Sequence, residues 1–305
     1  MDVRRLETLL MLSRLGSMRA VAEETHTTTS TVSQQIAALA REAGTPLVEP
    51  DGRRVRLTPA GRRLAEHAVT ILAALEAARL DLDPAAEPAG TLRVAGFGTA
   101  IRRSLMPVVA RLADDHPRVR VRIHEHETDE ALAMIAADDL DLALTYDFTL
   151  APAFPDRTVV SRHLWSAEWA LGVPAGDPAP DGDAPAVFAR YRDHDWIVNS
   201  RGAADEQVVR TIASMAGFEP LITHRSDSLE LLQDLVVAGL GVGLLPAALP
   251  AHPGVRLLPL RDPAAVLRCH AVVRAGRTGW PPLALLLRLL DEAGSPTETG
   301  PPRPR

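Results

Sequence analysis

The 305-residue sequence predicts an α/β protein: an N-terminal winged helix-turn-helix, a long linker helix and a two-lobed α/β body. Three observations carry that expectation. Residues 17–61 read as a short helix, a tight turn, a second helix and an arginine-bearing hairpin. Residues 58–83 hold apolar side chains at heptad spacing, and from Thr91 onward short apolar strands alternate with amphipathic helices. The expected division is 1–61 for the helix-turn-helix unit, 62–90 for linker helix and hinge, 91–294 for the two-lobed body and 295–305 for a disordered tail.

The first apolar run, LETLLMLSRLG, is interrupted by Glu7 and Arg14, and Val3, Leu6 and Leu10 share one side of it. It therefore reads as an amphipathic first helix rather than a signal peptide or a membrane span, and the protein is expected in the cytoplasm. Ala20 and Val21 turn inward in the helix that follows. Counting from Val32 at 100° per residue, Ile36, Leu39 and Ala43 fall on one side, whereas Ser30, Ser33, Gln34, Ala37 and Arg41 fall on the other. One face is core and the other is free.

The hydroxyl-rich run THTTTSTVS suits turn and N-cap chemistry, and equally suits hydrogen bonds to phosphates and base edges. Thr28, Thr29, Ser30, Thr31, Ser33 and Gln34 are the candidate nucleic-acid contacts, with Ser30, Ser33 and Gln34 best placed because they lie opposite the apolar stripe. After the second helix come LVEP, an Asp-Gly turn and RRVRLT, in which Val55 and Leu57 alternate with Arg54 and Arg56, a hairpin pattern. Arg53 and Arg54 sit at its tip, where guanidinium groups match phosphate oxygens. A polar-faced helix beside a basic wing fits a DNA major groove flanked by phosphate contacts.

Ala22, Ser33, Gln34, Gln35, Ile36, Leu39, Gly44, Pro46, Leu47, Gly52, Arg53, Arg54, Leu57, Thr58, Pro59 and Gly61 together resemble the amino-terminal domain of LysR-type transcriptional regulators. The departures are Gln34 where the family often has Arg, Val48 where a Phe usually packs, and Pro50 where an Arg usually begins the wing. The resemblance implies double-stranded DNA and a small-molecule effector as partners, and self-association as a homodimer or a dimer of dimers. RNA polymerase is a further candidate partner.

Charge is distributed in keeping with this. Residues 1–65 carry a net +3 and the remainder −9, so a modestly basic head sits on an acidic body. Every basic side chain apart from histidine is Arg. The single cysteine, Cys269, lies in the alternating segment VLRCHAVV, reads as a buried strand residue, and excludes a disulfide or a CxxC metal site within one chain. Peroxide-sensing members of the resembled family use a cysteine pair, a mechanism this chain cannot run.

Leu64, Ala68, Ile71, Leu75, Ala78 and Leu82 are spaced four, three, four, three and four apart, over a helix of about 25 residues. Thr58 is the expected N-cap, with Pro59 at the first helical position. An amphipathic helix of this kind can pack on its own domain or on an equivalent helix; in similar regulators it dimerises. PAAEPAG, residues 84–90, is a hinge.

In the body, TLRVAGF, VRVRIHE and DLALTYD with their intervening helices make a β-α-β-α-β start. A second set runs through WSAEWALGVP, DWIVNS, PLITHR and VGLLP, before LRCHAVVR and a final apolar helix, PPLALLLRLLDEA. This resembles the effector-binding domain of the same family, which shares its fold with type 2 periplasmic binding proteins and holds small molecules between its lobes. Ligands of such sheets sit beyond the carboxyl ends of the strands, near helix N-termini. Those places are Gly98, Thr99 and Ala100; Thr128; Ser200 and Arg201; and Asp227 with Ser228. Thr128 and Ser228 are also natural N-caps. A guanidinium at Arg201 near two helix N-termini would favour a carboxylate or phosphate, which makes an anionic effector the expectation.

No catalytic residue, cofactor or metal is expected. GFGTAI has Ile101 where a dinucleotide fingerprint needs a small residue, GLGVGLLP runs into Pro246, and GxSxG, Walker A and HExxH patterns are missing. His124 and His126 offer two imidazoles without a third ligand. The alternatives to an effector-modulated regulator are a DNA-binding protein that needs no ligand and an enzyme on the two-lobed fold.

Overall fold

The computed structural model describes residues 1–52, 54–83, 86–153, 156, 158–178, 182–200, 204–248 and 250–294. Arg53, Arg201, part of the expected hinge (84–85) and the expected tail (295–305) lie outside the described residues.

The head consists of α1 (Val3–Leu15), α2 (Met18–Glu24) and α3 (Thr29–Ala43), followed by the wing strands β1 (Val48–Asp51) and β2 (Arg54–Leu57). Asp2 caps α1 by accepting from the backbone N–H groups of Arg4 and Arg5, and Thr28 caps α3 by accepting from Thr31. Leu6, Leu9 and Leu12 of α1 pack with Val21, Val32, Ile36 and Leu39 in one small core. The buried stripe of α1 thus centres on Leu9, one residue away from the expected Leu10, which is half-buried. The wing pairs Val48 with Leu57 and Asp51 with Arg54, and Pro50 is tolerated because a two-stranded ribbon leaves it exposed at an edge.

Helix α4 (Pro59–Leu82) begins as the sequence predicts: the Thr58 hydroxyl accepts from the Gly61 N–H at 3.0 Å and donates to the Pro46 carbonyl at 2.7 Å. Gly61 sits so close to the wing that an added Cβ would overlap the Leu47 carbonyl oxygen. The face of α4 turned into its own chain carries Gly61, Ala65, Ala68, Val69 and Ala73. Ala68 is completely buried against the head, so the expected six-residue seam is interrupted there. Its packing is already satisfied by α1 and its neighbours. Ile71 (43% exposed) and Leu82 (85% exposed) remain open to a partner, Ala78 is exposed, and Leu64 and Leu75 are half-buried.

The body contains β3 (Gly90–Gly96), α5 (Gly98–Ala100), a π-helical turn (Ile101–Leu105), α6 (Met106–Asp115), β4 (Val119–Glu125), α7 (Thr128–Ala136), β5 (Leu142–Phe148) and β6 (Val159–Pro174). These are followed by α8 (Ala184–Arg190), β7 (Asp195–Val198), α9 (Ala204–Met215), β8 (Leu221–Arg225), α10 (Leu229–Val237), β9 (Val242–Pro246), β10 (Val255–Pro259), β11 (Ala265–Arg274) and α11 (Pro281–Gly294). One sheet runs β4-β3-β5-β11-β6-β9-β7-β8, with β10 added beside β6. Its two ends, β4-β3-β5 and β9-β7-β8, are parallel and form the two lobes. β6 crosses between them, pairing with β11 along residues 159–169 and with β9 and β10 beyond Trp169. All seven residues of β5 are buried, as befits a strand inside the sheet, parallel to β3 on one side and antiparallel to β11 on the other. α8, β10 and the first six residues of β6 go beyond the elements read from the sequence; that opening stretch of β6 mixes polar and apolar residues without alternation.

Beyond β11, Gly276, at φ 84°, approaches α4 so closely that a side chain there would collide with Thr70. No helix among the described residues is long and apolar enough to cross a membrane.

Gly61→Ala is expected to destabilise the head by about 1–3 kcal/mol, because the added methyl meets backbone that cannot rotate away. Lower resistance to denaturant together with lost DNA binding would bear this out; an unchanged unfolding midpoint would mean the wing can step aside.

Candidate functional site

Two surfaces carry the chemistry. On the head, Thr28, Thr29, Ser30, Ser33 and Gln34 are exposed and Thr31 is half-buried, and Ser30, Ser33 and Gln34 face away from the buried Val32, Ile36 and Leu39. The capping role is visible: Thr28 Oγ1 lies 2.7 Å from Ser30 Oγ and 2.9 Å from Thr31 Oγ1, in addition to taking the Thr31 N–H. Those three hydroxyls are linked to one another, whereas Ser33 and Gln34 extend from the next turn of α3. Gln35, half-buried, instead meets Thr8 of α1. Arg54 belongs to β2, and Arg56 pairs across the wing with Glu49 at 2.9 Å.

The second surface is a cleft of about 1220 Å³ between the lobes of the body. One wall comes from the loop after β3 (Phe97, Gly98, Thr99) with Arg102 and Arg103, from Glu125 and Glu127 after β4, and from Tyr146 and Phe148 of β5. The opposite wall comes from Asn199, Asp205, Asp227, Ser228, Glu230 and Gln233, and Trp165 to Trp169 of β6 form the floor. Of the loop residues singled out in the sequence, Gly98, Thr99, Asp227 and Ser228 lie on this lining.

Four others do not. Ala100 is fully buried and its methyl group belongs to the body core. Thr128 is the first residue of α7, not its cap, and its hydroxyl takes the Tyr146 N–H at 3.1 Å and reaches the Tyr146 carbonyl at 3.4 Å, so it braces β5. Ser200 faces Asp227, which accepts its backbone N–H at 2.8 Å and its hydroxyl as well. Arg201, on which the anionic expectation rested, lies outside the described residues. Ser228 caps α10 by accepting from Leu231 and donates to Glu230 Oε2 at 3.1 Å.

A hydrogen-bonded chain crosses the cleft. Asn199 Nδ2 donates to the Tyr146 hydroxyl at 3.0 Å, that hydroxyl donates to Glu127 Oε2 at 3.1 Å, and the Asn199 backbone N–H donates to Asp205 Oδ2 at 2.6 Å. Burial, reinforced by the charges of Glu127 and Asp205, holds the Tyr146 phenol far above its ordinary pKa, so it remains a donor. Burial also pushes the Asp205 carboxyl up from 3.8 to about 6, against the pull of backbone N–H donors. Asn199 immediately precedes the flagged Ser200 and Asp205 lies in the first turn of α9, yet nothing in their spacing marks them. The aromatic residues would have been flagged by their scarcity, since only 4% of the chain is aromatic.

Among the described residues no three His, Cys, Asp or Glu side chains gather as a metal site. His124 and His126 stack at 6.2 Å, and His126 faces Glu130. Cys269 is buried in β11 with its thiol pushed up to about 12, chiefly by burial.

The family model described as bacterial regulatory helix-turn-helix protein, lysR family, matches residues 3–62, and the one described as LysR substrate binding domain matches residues 85–295. The chain belongs to the LysR family. It is a DNA-binding transcriptional regulator with an effector-binding domain, and members of the LysR family bind DNA and effectors and oligomerise. The transcriptional dual regulator GltC of Bacillus subtilis is 28% identical over 222 residues, 71% of either chain. The hydrogen peroxide-inducible genes activator of Pectobacterium carotovorum is 27% identical over 297 residues, covering 90% of this chain and 91% of that one. The solved structure of full-length OxyR from Pseudomonas aeruginosa covers 96% of this chain and 97% of its own with a TM-score of 0.68; at 21% identity this is a likeness of fold.

Because the folded chain holds the Asp205 proton up to about pH 6 and the unfolded chain only to about 4, this group favours folding at low pH, and that contribution is lost as pH rises through 6. The gap corresponds to about 3 kcal/mol at neutral pH. Asp205→Asn, which keeps an acceptor for the Asn199 N–H, is expected to melt higher than wild type at neutral pH and to lose most of that advantage near pH 4. A mutant that melts lower at neutral pH would show that the ionised carboxylate stabilises the ligand-free fold.

Proposed function

We propose that the exposed face of α3 enters the DNA major groove, that Arg53 and Arg54 hold the wing to phosphates, and that a small molecule between the lobes changes the grip on the operator. The observation that carries the reading is the hydrogen-bonded bridge from Asn199 through Tyr146 to Glu127, which spans a large cleft behind a head whose helix α3 leaves Ser33 and Gln34 exposed. The working units are the head at 1–61, the linker at 62–90 and the body at 91–294. Copies of the chain pair through Ile71, Leu75, Ala78 and Leu82, with Leu64 at the near end, and set two α3 helices at half-site spacing. The protein acts in the cytoplasm, beside the chromosome.

On duplexes selected from a random library, Arg53→Ala is expected to weaken binding to all sequences alike and to lower the salt slope by about one ion per protomer, whereas Gln34→Ala relaxes sequence preference. Unchanged affinity and slope for Arg53→Ala would remove the wing from the interface. The double change Ile71→Asp with Leu75→Asp places carboxylates against their symmetry mates and should leave monomers in sedimentation; sedimentation at wild-type mass would move the dimer contact elsewhere.

A further inference from the structure

Asp138 and Asp141 are buried in the corner between α7 and β5, just before the strand that carries Tyr146 and Phe148 to the cleft. Three guanidinium groups face them: Arg93 of β3, Arg274 at the end of β11, and Arg277 in the turn that leads to α11. Neutralising the two acids does not need all three. Arg93 alone gives Asp141 three bonds, from its backbone N–H at 2.8 Å and its Nε at 3.1 Å to Oδ2, and from Nη2 at 2.9 Å to Oδ1. Arg274 Nη1 lies 3.7 Å from Asp138 Oδ1. What Arg277 adds is a span: its Nη1 donates to Asp138 Oδ1 at 3.3 Å while its Nη2 lies 2.8 Å from Asp141 Oδ1.

That span is held at a cost. The Arg277 side chain is 17% exposed, its guanidinium carbon lies 4.8 Å from the centre of the Trp280 ring, and its Nε is buried without a hydrogen-bond partner among the described residues. Desolvating a guanidinium and leaving one of its donors unmet opposes folding. The turn so anchored is the one that meets the linker helix. The residue before Arg277 is Gly276, which leaves no room for a side chain beside Thr70 of α4, and α11, which begins four residues after Arg277, packs against α4 as well. On that helix Val69 and Ala73, one turn apart, are buried although neither belongs to the core of the head.

We propose that Arg277 is a positioning residue for effector control: it locks the Gly276 turn to the start of β5 and, through Asp141, to Arg93 of β3, so that a shift of the cleft strands is handed to α4 and the head. This rests on the reading of the cleft as a site coupled to the operator, and it names the contact that carries the coupling. β3 runs into Phe97 and β5 carries Tyr146, so both strands that Arg277 grips end in the cleft wall. A planar guanidinium fixed at two carboxylates and against a ring suits the task, because coupling needs packed and hydrogen-bonded elements that move as units.

Coupling between two sites is reciprocal, so it can be read from the DNA side without an effector. The full-length protein is saturated with a duplex selected from a random library, and amide hydrogen exchange is followed in β5, residues 142–148. In the wild type, DNA should change exchange there by about fivefold or more. Arg277→Gln should still bind the duplex through the head, yet lose that response. Arg277→Lys, which keeps the charge but cannot span both carboxylates, should lose it too, and carries the comparison if Arg277→Gln fails to fold. Arg274→Gln takes a guanidinium from the same Asp138 and leaves Asp141 alone, so it should respond as the wild type does. A merely structural arginine would lower the melting temperature on substitution and leave the DNA response intact, which would overturn the assignment, as would an equal loss of response in Arg274→Gln. A wild-type response that survives both Arg277 variants would sink the role of Arg277 and leave the coupled cleft standing. Exchange in β5 that ignores DNA in the wild type would sink the coupling itself, and Arg277 with it.

Discussion

The Tyr146 hydroxyl is the single atom on which the geometry of the body turns. Its ring is packed between Phe97 and Phe148, and its backbone is braced by Thr128, so the phenol cannot swing. Accepting from Asn199 and donating to Glu127, it ties the two lobes across the cleft they enclose. Because the group stays protonated, the direction of both bonds is set, and whatever enters the cleft must either respect that bridge or replace it. Asn199 extends the constraint through its backbone N–H to Asp205 Oδ2, so the first turn of α9 is tied to the same residue that holds the lobes together.

Much of the head was legible because its determinants are local. The apolar stripe of α3 follows from helical period, and the run Leu57-Thr58-Pro59-Ala60-Gly61 spells a cap, a first helical position and a residue with no side chain to strike the wing. Strand and helix alternation in the body was legible for the same reason. The cleft was only half legible. Strand-end reasoning located Gly98, Thr99, Asp227 and Ser228, but it also drew in Ala100 and Thr128, which point into packing. It passed over Tyr146, Trp165, Asn199 and Asp205, whose roles arise from which lobe faces which. Periodicity likewise registered that Ala68 is apolar and evenly spaced, without revealing that α1 already covers it.

Similarity along nine-tenths of the chain to a protein named a hydrogen peroxide-inducible genes activator does not transfer its chemistry. Thiol reactivity needs the thiolate and access to it. Cys269 has neither, being sealed in β11 with its proton held to about pH 12 and no second cysteine in the chain to resolve an oxidised sulfur. The fold is shared, and the reactive thiol is not.

The position of Gly276 against Thr70 has a mechanical consequence. Leu267 lines the cleft, and from it β11 runs without interruption to Arg274, a span of about 23 Å at 3.3 Å per residue. Two residues later the chain abuts the helix that leads out of the wing. The route from the ligand to the reading head therefore contains one stiff rod and one bare-backbone joint, with no long loop in which a displacement could dissipate. In such a linkage the compliance is concentrated at the joint, and a bulkier residue there would act on signalling while touching neither the ligand nor the DNA.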